Sequence, residues 1–368
     1  MYKAFKYRIY PNKEQQVLLV KHFGHCRFLW NLALETKIYA YSSSKVNYNR
    51  YELQSQLVDL KNEFDWLKEV NSQSLQSVLM NLDKAYKRFF KGAGFPKFKS
   101  KHGSQSFHVP QKVKVQNGRL FIPKFNRTGI KINLHRSLNG IIKSATISKT
   151  PTGIFYVSIL CNVNQEIKNK CEVDENTSIG VDLGVKDFAV TSEGTVIENP
   201  RFLKNSLDRL KVLQRRAENK KRNGSNRKKA FLKVAILHQK IKNQRLDFLH
   251  KVSTQLIRDN QTICLETLNV KGMVKNHNLA QSISDSSWSE FNRMLEYKSD
   301  WYGVNILRIN QFAPSSKTCV CGFINNDLKL SERIWNCINC GETNYRDLLA
   351  ANNIKKFALE DYQGRCCP

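Results

Sequence analysis

Four cysteines between positions 319 and 340 constrain this chain more than any other feature. They stand in SSKTCVCGFINNDLKLSERIWNCINCGETNYRD as two pairs, Cys319/Cys321 and Cys337/Cys340, each followed by glycine (Gly322, Gly341). Paired cysteines of this kind describe a zinc ribbon. Four thiolates hold Zn²⁺ tetrahedrally and replace a hydrophobic core too small to fold alone. The glycines let the knuckle backbone donate N–H groups to sulfur. The second pair has the expected C-x-x-C spacing, whereas the first is C-x-C, one residue short. The competing reading is a degenerate site with weak or no zinc. The zinc reading is preferred, with a structural role, since no open coordination position is implied.

The other six cysteines (Cys26, Cys161, Cys171, Cys264, Cys366, Cys367) lack ligand spacing and read as core or tail thiols. A disulfide framework is not expected, because the chain reads as cytosolic. MYKAFKYRIYP at the start has no apolar h-region, and no run of eighteen apolar residues exists to span a bilayer. The expected localisation is therefore cytoplasmic, with no membrane partner. The chain carries 60 Lys plus Arg against 31 Asp plus Glu, a formal charge of +29. Such an excess repels itself unless a polyanion binds, and nucleic acid is the first candidate because neutralised phosphates release counterions. A length of 368 residues suggests two or three units.

Phe5, Tyr7 and Ile9 alternate with Lys6 and Arg8, a strand pattern that Pro11 ends. From Asn12, a plausible N-cap, to about Lys91 the periodicity is helical, with a break expected at Gly24. A second helix is expected from about Ser72, with Leu75, Val78, Leu79, Leu82, Ala85, Tyr86 and Phe89 buried. The basic loop GAGFPKFKSKHG closes this region. Residues 105 to 163 read as β, with a hairpin at Thr150-Pro151-Thr152-Gly153. A charged stretch from Glu166 to Glu175 reads as a linker. Residues 203 to 258 read as two long helices turning at Asn223-Gly224-Ser225-Asn226. Their stripes are Leu203, Leu207, Leu210, Leu213 and Ala217, then Phe231, Val234, Leu237 and Ile241. The remaining surface of this hairpin is nearly all of one sign (Arg215, Arg216, Lys220, Lys221, Arg222, Arg227, Lys228, Lys229). A solvated coiled pair is the bland interpretation; a face turned to nucleic acid explains the uniform sign better.

Three carboxylates occupy separated contexts that can converge. Asp182 lies in Ile179-Gly180-Val181-Asp182-Leu183-Gly184, opposite the apolar face of a strand. Glu266 ends the apolar run Thr262-Ile263-Cys264-Leu265. Asp347 opens the helix RDLLAANNIKKFAL, whose packed side is Leu348, Ala351 and Ile354. Singly, each is an ordinary turn, solvated or dipole-stabilising residue. Jointly, they suit phosphodiester cleavage by two Mg²⁺ ions about 4 Å apart, since Mg²⁺ prefers hard oxygen ligands.

With these residues in order, the chain resembles the TnpB family of insertion-sequence proteins. The resemblance runs through Val181-Asp182-Leu183-Gly184, Leu265-Glu266-x-Leu268, Ser315-Ser316-Lys317-Thr318-Cys319, Trp335-x-Cys337-x-x-Cys340-Gly341 and Arg346-Asp347-x-x-Ala350-Ala351-x-Asn353-Ile354. It extends to Tyr7-Arg8-Ile9-Tyr10-Pro11, Gly24-x-x-Arg27-Phe28-x-x-Asn31-x-Ala33-Leu34 and Gly94-Phe95-Pro96-Lys97-Phe98-Lys99. It implies an α/β plus β-barrel fold: a wedge-like β-barrel domain (1–10 and 92–170) carrying a helical recognition insert (11–91). A ribonuclease-H-like (RuvC) nuclease domain (171–314 and 342–368) follows, with a zinc ribbon (315–341) inserted. It implies an RNA-guided DNA endonuclease that binds a guide RNA and double-stranded target DNA beside a short adjacent motif. A monomer with RNA is the expected assembly. Asp182, Glu266 and Asp347 match the catalytic carboxylates and would hold two Mg²⁺. Lys97, Lys99, Arg215, Arg216, Lys228 and Lys229 are candidates for gripping nucleic acid, and Gln73 and Gln76 for reading base edges. The bland alternative for the two glutamines is a pair of exposed amides at a helix start.

Three departures accompany the resemblance: the short first cysteine pair, Asn344-Tyr345 where the family has His-Asp, and Leu349 where an Asn usually precedes Ala-Ala. Leu349 is expected to deprive the metal site of a polar neighbour. The alternative function is a nuclease-impaired RNA-guided DNA-binding regulator on the same scaffold, against which the three intact carboxylates argue. A strand-transferring transposase would need a nucleophilic Tyr beside a His-x-His pair, which the sequence lacks. A simple zinc-ribbon DNA-binding protein leaves the strand carboxylates unexplained.

Overall fold

The computed structural model describes residues 1–164, 168–329 and 331–366, the side chains of Arg365 and Cys366 excepted. It divides into two units, Met1–Gln165 and Glu166–Pro368. The Glu166–Glu175 stretch expected as a linker falls partly outside the described residues, and its remainder holds only a short 3-10 turn.

In the first unit β1 (Tyr2–Tyr10) leads into three helices, α1 (Lys13–Ser44), α2 (Arg50–Glu63) and α3 (Ser72–Phe89). Strands β2 (Gln105–Val109), β3 (Lys114–Gln116), β4 (Arg119–Phe121), β5 (Ile130–Asn133), β6 (Ile141–Lys149) and β7 (Phe155–Asn162) follow. They pair antiparallel as a row, β2-β6-β7-β1-β5-β4-β3, so the first strand of the chain sits mid-sheet. Tyr7 and Ile9 point into the core, as their alternation requires.

Asn12 caps α1 with a reciprocal capping box: Gln15 N–H donates to Asn12 Oδ1, and Asn12 N–H to Gln15 Oε1. The helix does not break at Gly24. Glycine there costs about 1 kcal/mol relative to alanine. Burial of Leu19, Phe23, Cys26, Leu29, Trp30, Ala33 and Leu34 along one stripe outweighs that cost. The sequence reading also passed over α2, whose Asn49/Glu52 capping box and buried Leu53 and Leu57 define a separate short helix.

The second unit is built on a five-stranded sheet. Its strands are β8 (Ser178–Leu183), β9 (Asp187–Thr191), β10 (Val196–Glu198), β11 (Thr262–Leu265) and β12 (Asn305–Arg308), in the order β10-β9-β8-β11-β12. β9 and β10 run antiparallel, whereas β11 lies parallel between β8 and β12. Between β10 and β11 come α4 (Leu207–Glu218) and α5 (Ser225–Asp259). Between β11 and β12 come α6 (Val270–Met273), α7 (His277–Ser286) and α8 (Trp288–Tyr302). Ile179, Val181, Leu183, Ile263 and Leu265 cover one sheet face and pack with Leu249, Val252, Trp288, Phe291 and Leu295. A small ribbon with β13 (Ile334–Asn336) and β14 (Thr343–Tyr345) precedes the last helix, α9 (Arg346–Cys366). That helix covers the opposite sheet face, with Ile354 and Ala358 against Cys264 and Ile309.

The α4–α5 hairpin has its own small core of Leu210, Ala217, Val234, Leu237 and Ile241, joined by Phe202, Leu203, Leu213 and Ala230. Phe231, expected in the stripe, is instead 39% exposed and lies under the Arg227 guanidinium. Arg227 turns inward, donating to the carbonyls of Ala217, Glu218 and Lys220 and closing the C-terminus of α4.

The α9–β8 contact leaves no room at Gly180. A Cβ there would lie 2.0 Å from the Ala351 carbonyl oxygen and 2.9 Å from Lys355. We expect Gly180→Ala to destabilise the second unit by about 1–3 kcal/mol, the usual cost of forcing an extra carbon into packed backbone. Thermal unfolding of the variant would show it as a lowered midpoint; an unchanged midpoint would mean that α9 is not seated as described.

Candidate active site

The same close contact assembles the carboxylates. Residues two apart on a strand share a face, so Asp182 points to the side that Gly180 presents to α9. Asp347 lies one helical turn before Ala351, the residue seated on Gly180. Glu266 enters through register: Leu265 pairs with Val181 in the parallel ladder, so the next residue of each strand is Glu266 beside Asp182. The electrostatics agree with this placement. Asp182 is held up to about pH 7 by burial first, then by the negative charges of Glu266 and Asp347, against opposing effects of Arg346 and Arg333. Burial also raises the Glu266 carboxyl, and a hydrogen bond from Ser315 counters it.

Two polar partners complete the cluster. Ser315 Oγ donates to Glu266 Oε1 at 2.9 Å. Arg333 Nη1 donates to Asp347 Oδ1 at 2.7 Å. Sequence reasoning gave no role to either. Arg333 lies in an irregular stretch, where no periodicity marks it; Ser315 stands in a short polar segment with no acidic residue near it in sequence.

The four expected thiols come together, with all their sulfurs within 4.8 Å of one another. Cys319 and Cys340 Sγ are 3.6 Å apart, and Cys321 and Cys337 Sγ 3.7 Å. Four sulfurs at 2.3 Å from a tetrahedral centre would be about 3.8 Å apart, so the quartet can hold a metal ion. The short first pair is accommodated by a tighter turn. Gly322 N–H returns to the Cys319 carbonyl, three residues back, whereas Gly341 N–H returns to Cys337, four back. Both glycines have left-handed φ, 87° and 76°. Asn344 is buried and donates its amide to Cys319 Sγ at 3.4 Å, so this departure from the family pattern serves the thiol cluster. Leu349 has an apolar setting. It is buried with Cys319, Leu328, Trp335 and Cys337, where an apolar side chain is what the small core needs. Of the remaining thiols, Cys26, Cys161 and Cys264 are buried and Cys171 is exposed; the side chains of Cys366 and Cys367 lie outside the described residues.

The candidate nucleic-acid contacts separate by environment. Gln73, Gln76, Lys97 and Lys99 line one cleft of the first unit, of about 1030 Å³, with Arg27, Lys84 and Gln105. Gln73 is not an exposed helix-start amide: its Oε1 is buried and its Nε2 donates to Gln111. Lys99 stacks its ammonium 3.7 Å from the Trp30 ring centroid, and the loop holding it is pinned by Trp30 Nε1 to the Lys97 carbonyl and by Asn31 to Lys99. Arg215, Arg216, Lys228 and Lys229 are all exposed on the hairpin. No helix among the described residues is long and apolar enough to cross a membrane.

The fold places the chain in a structural class first. A Cas12f1 chain solved with an sgRNA and target DNA superposes with a TM-score of 0.59 at 16% identity, covering 94% of this chain and 83% of that one. Family models match in three places: a "Probable transposase" over residues 158–277, a "Helix-turn-helix domain" over 1–45, and a "Cas12f1-like, TNB domain" over 288–354. The 1–45 match forms one strand and one continuous helix here. A "Putative RNA-guided DNA endonuclease" of Streptomyces pristinaespiralis is 36% identical, over 97% of this chain and 89% of that protein. A "Putative RNA-guided DNA endonuclease InsQ" of Escherichia coli K12 is 32% identical, over 96% and 91%. The chain belongs to this TnpB family.

The raised Asp182 pKa fixes a sign. The folded chain keeps this proton up to about pH 7, while an unfolded aspartate releases it near pH 4, so stability falls as pH rises between those values. We expect magnesium-free Asp182→Asn to be more stable than the parent at pH 8, by about 1–3 kcal/mol, with the gain shrinking toward pH 5. Denaturant melts at the two pH values would measure it; a variant no more stable at pH 8 would contradict the buried-charge account.

Proposed function

We propose that this protein is an RNA-guided DNA endonuclease whose second unit is a RuvC-like, ribonuclease-H-like nuclease. The observation that carries the reading is the convergence of Asp182, Glu266 and Asp347 from two adjacent strands and a covering helix. Its supports are the family membership and the strand order of the five-stranded sheet.

Carboxylates near enough for Glu266 and Asp347 to raise the proton affinity of Asp182 are a poor arrangement for a chain alone and a good one for hard divalent cations. The donor set fits Mg²⁺, and Asp182, Glu266 and Asp347 would hold it. Such ions supply charge neutralisation and Lewis-acid polarisation at the scissile phosphate. The chain's own residues do the rest. Ser315 donates a hydrogen bond to Glu266. Arg333, paired with Asp347, places a guanidinium beside the cluster where the DNA backbone would pass. Next to it a cleft of about 460 Å³, lined by Lys186, Arg201, Lys204 and Arg333, offers cationic donors to the phosphates of a strand entering the site.

In the domain assignment, the seven-stranded sheet, an open row among the described residues, is the wedge-like β domain, α1 to α3 its recognition insert, and the cysteine segment a zinc ribbon. Guide–target pairing would supply sequence discrimination, and the cationic surfaces would grip backbone. Among these, the exposed Arg215, Arg216, Lys228 and Lys229 suit a guide–target duplex. The cleft with Gln73, Gln76 and Lys97 suits the short motif beside the target, where amides meet base edges. Lys99 instead braces the cleft wall through Trp30.

Asp182→Ala is expected to lower cleavage of guide-matched DNA in Mg²⁺ by at least about a thousandfold, the scale of losing an essential catalytic group. RNA and DNA binding should persist. Equal cutting by variant and parent would end the site assignment, while a parent that binds but never cuts would favour the regulator reading. For the ribbon, elemental analysis should find about one zinc per chain, the stoichiometry of a four-thiolate site, and Cys337→Ser should lose it. A zinc-free parent purified without chelator would refute the assignment.

A further inference from the structure

Ser315 and Asn353 both lie in segments that mark the family resemblance. Both are buried, Ser315 at 5% and Asn353 at 6% exposure. Ser315 Oγ donates to Glu266 Oε1 at 2.9 Å. The Asn353 amide, two turns along α9 from Asp347, donates to the Ser315 carbonyl at 2.7 Å and to the Thr318 carbonyl at 2.6 Å. The chain between those carbonyls is a tight turn: Lys317 and Thr318 N–H both return to the Pro314 carbonyl, as does the Thr318 hydroxyl.

We infer that Ser315 is the positioning residue for Glu266, and that Asn353 fixes Ser315, so α9 sets two of the three carboxylates at once. The inference rests on Glu266 being a metal ligand, as proposed above. A glutamate has three side-chain torsions. Glu266 stands one residue past the end of a short strand, so the ladder does not fix its side chain. One hydroxyl on Oε1 selects the rotamer and leaves Oε2 available to a cation. A hydroxyl is suited to this, because it donates a hydrogen bond without adding the positive charge that would compete with the metal. Its donor must itself be stationary. The amide of Asn353 supplies that by binding two carbonyls of the turn, one on Ser315 and one next to Cys319. The thiol cluster and the carboxylate cluster are thereby tied to the same helix through one side chain.

The test uses the full-length, zinc-loaded protein and Mn²⁺ as the probe ion, with binding followed by electron paramagnetic resonance beside Mn²⁺-dependent DNA cleavage. Ser315→Ala should raise the half-saturating Mn²⁺ concentration about tenfold or more, the usual effect of removing a hydrogen bond to a metal ligand. Zinc content and the melting profile should match the parent. Ser315→Thr, which restores the hydroxyl, should return binding to within about threefold of the parent, on the same scale. Asn353→Ala should weaken Mn²⁺ binding, and the double variant should be no weaker than the more affected single one, because both changes act on one relay. Ser315→Ala with parental Mn²⁺ affinity, or a threonine that fails to rescue, would overturn the inference. If the parent itself binds no Mn²⁺ in an Asp182-dependent way, the nuclease reading falls and takes this inference with it.

Discussion

The meeting of Gly180 with the Ala351 carbonyl is the constraint on which the second unit turns. A helix laid over a β-sheet normally rides on side chains; here one position has none, and the helix backbone drops onto the strand. That lowers α9 toward the strand, so that a carboxylate at its start comes within reach of one emerging two residues further along β8. The parallel pairing of β8 with β11 then brings the backbone of the third acid, one residue beyond β11, beside Asp182. Asp182 and Asp347 are carried by regular elements and Glu266 directly follows one, and such elements hold geometry better than loops do.

The resulting cluster runs against the charge of the whole molecule. A chain with a formal charge of +29 concentrates three acids in a partly buried spot and raises the proton affinity of Asp182. The surrounding cations are attached to different elements: Arg346 starts α9, and Arg333 arrives from the ribbon. Local desolvation and like-charge repulsion dominate over the distant excess of lysine and arginine, because solvent screens the latter within about 10 Å. A strong overall positive charge and a local concentration of negative charge therefore coexist in one chain.

Much of this was legible in the sequence because its signals are local. An apolar run interrupted by one acid marks a strand with one polar position, and paired cysteines with trailing glycines mark knuckles. The missed features depend on tertiary neighbours. Gly24 carries a helix-breaking propensity that burial of the α1 stripe overrides. Leu349 reads as the loss of a polar group, and its packing among the thiols of the ribbon is set by residues far from it in sequence. Asn344 looked like a missing histidine, yet its amide reaches Cys319 sulfur. Arg227 read as one more basic residue of the hairpin, whereas it closes a helix end. In each case the residue type was visible and its direction was not, since direction is set by elements distant in the chain.

The α4–α5 hairpin carries a consequence of a different kind. Its apolar residues form a cluster of their own, apart from those that hold the sheet together. Its turn, at residues 219–224, is exposed at all but one position and begins where Arg227 has already sealed the preceding helix. Length changes at that tip leave the register of every strand untouched. The segment is thus a natural splice point, where a reporter or an added module can be grafted while the acids keep their positions.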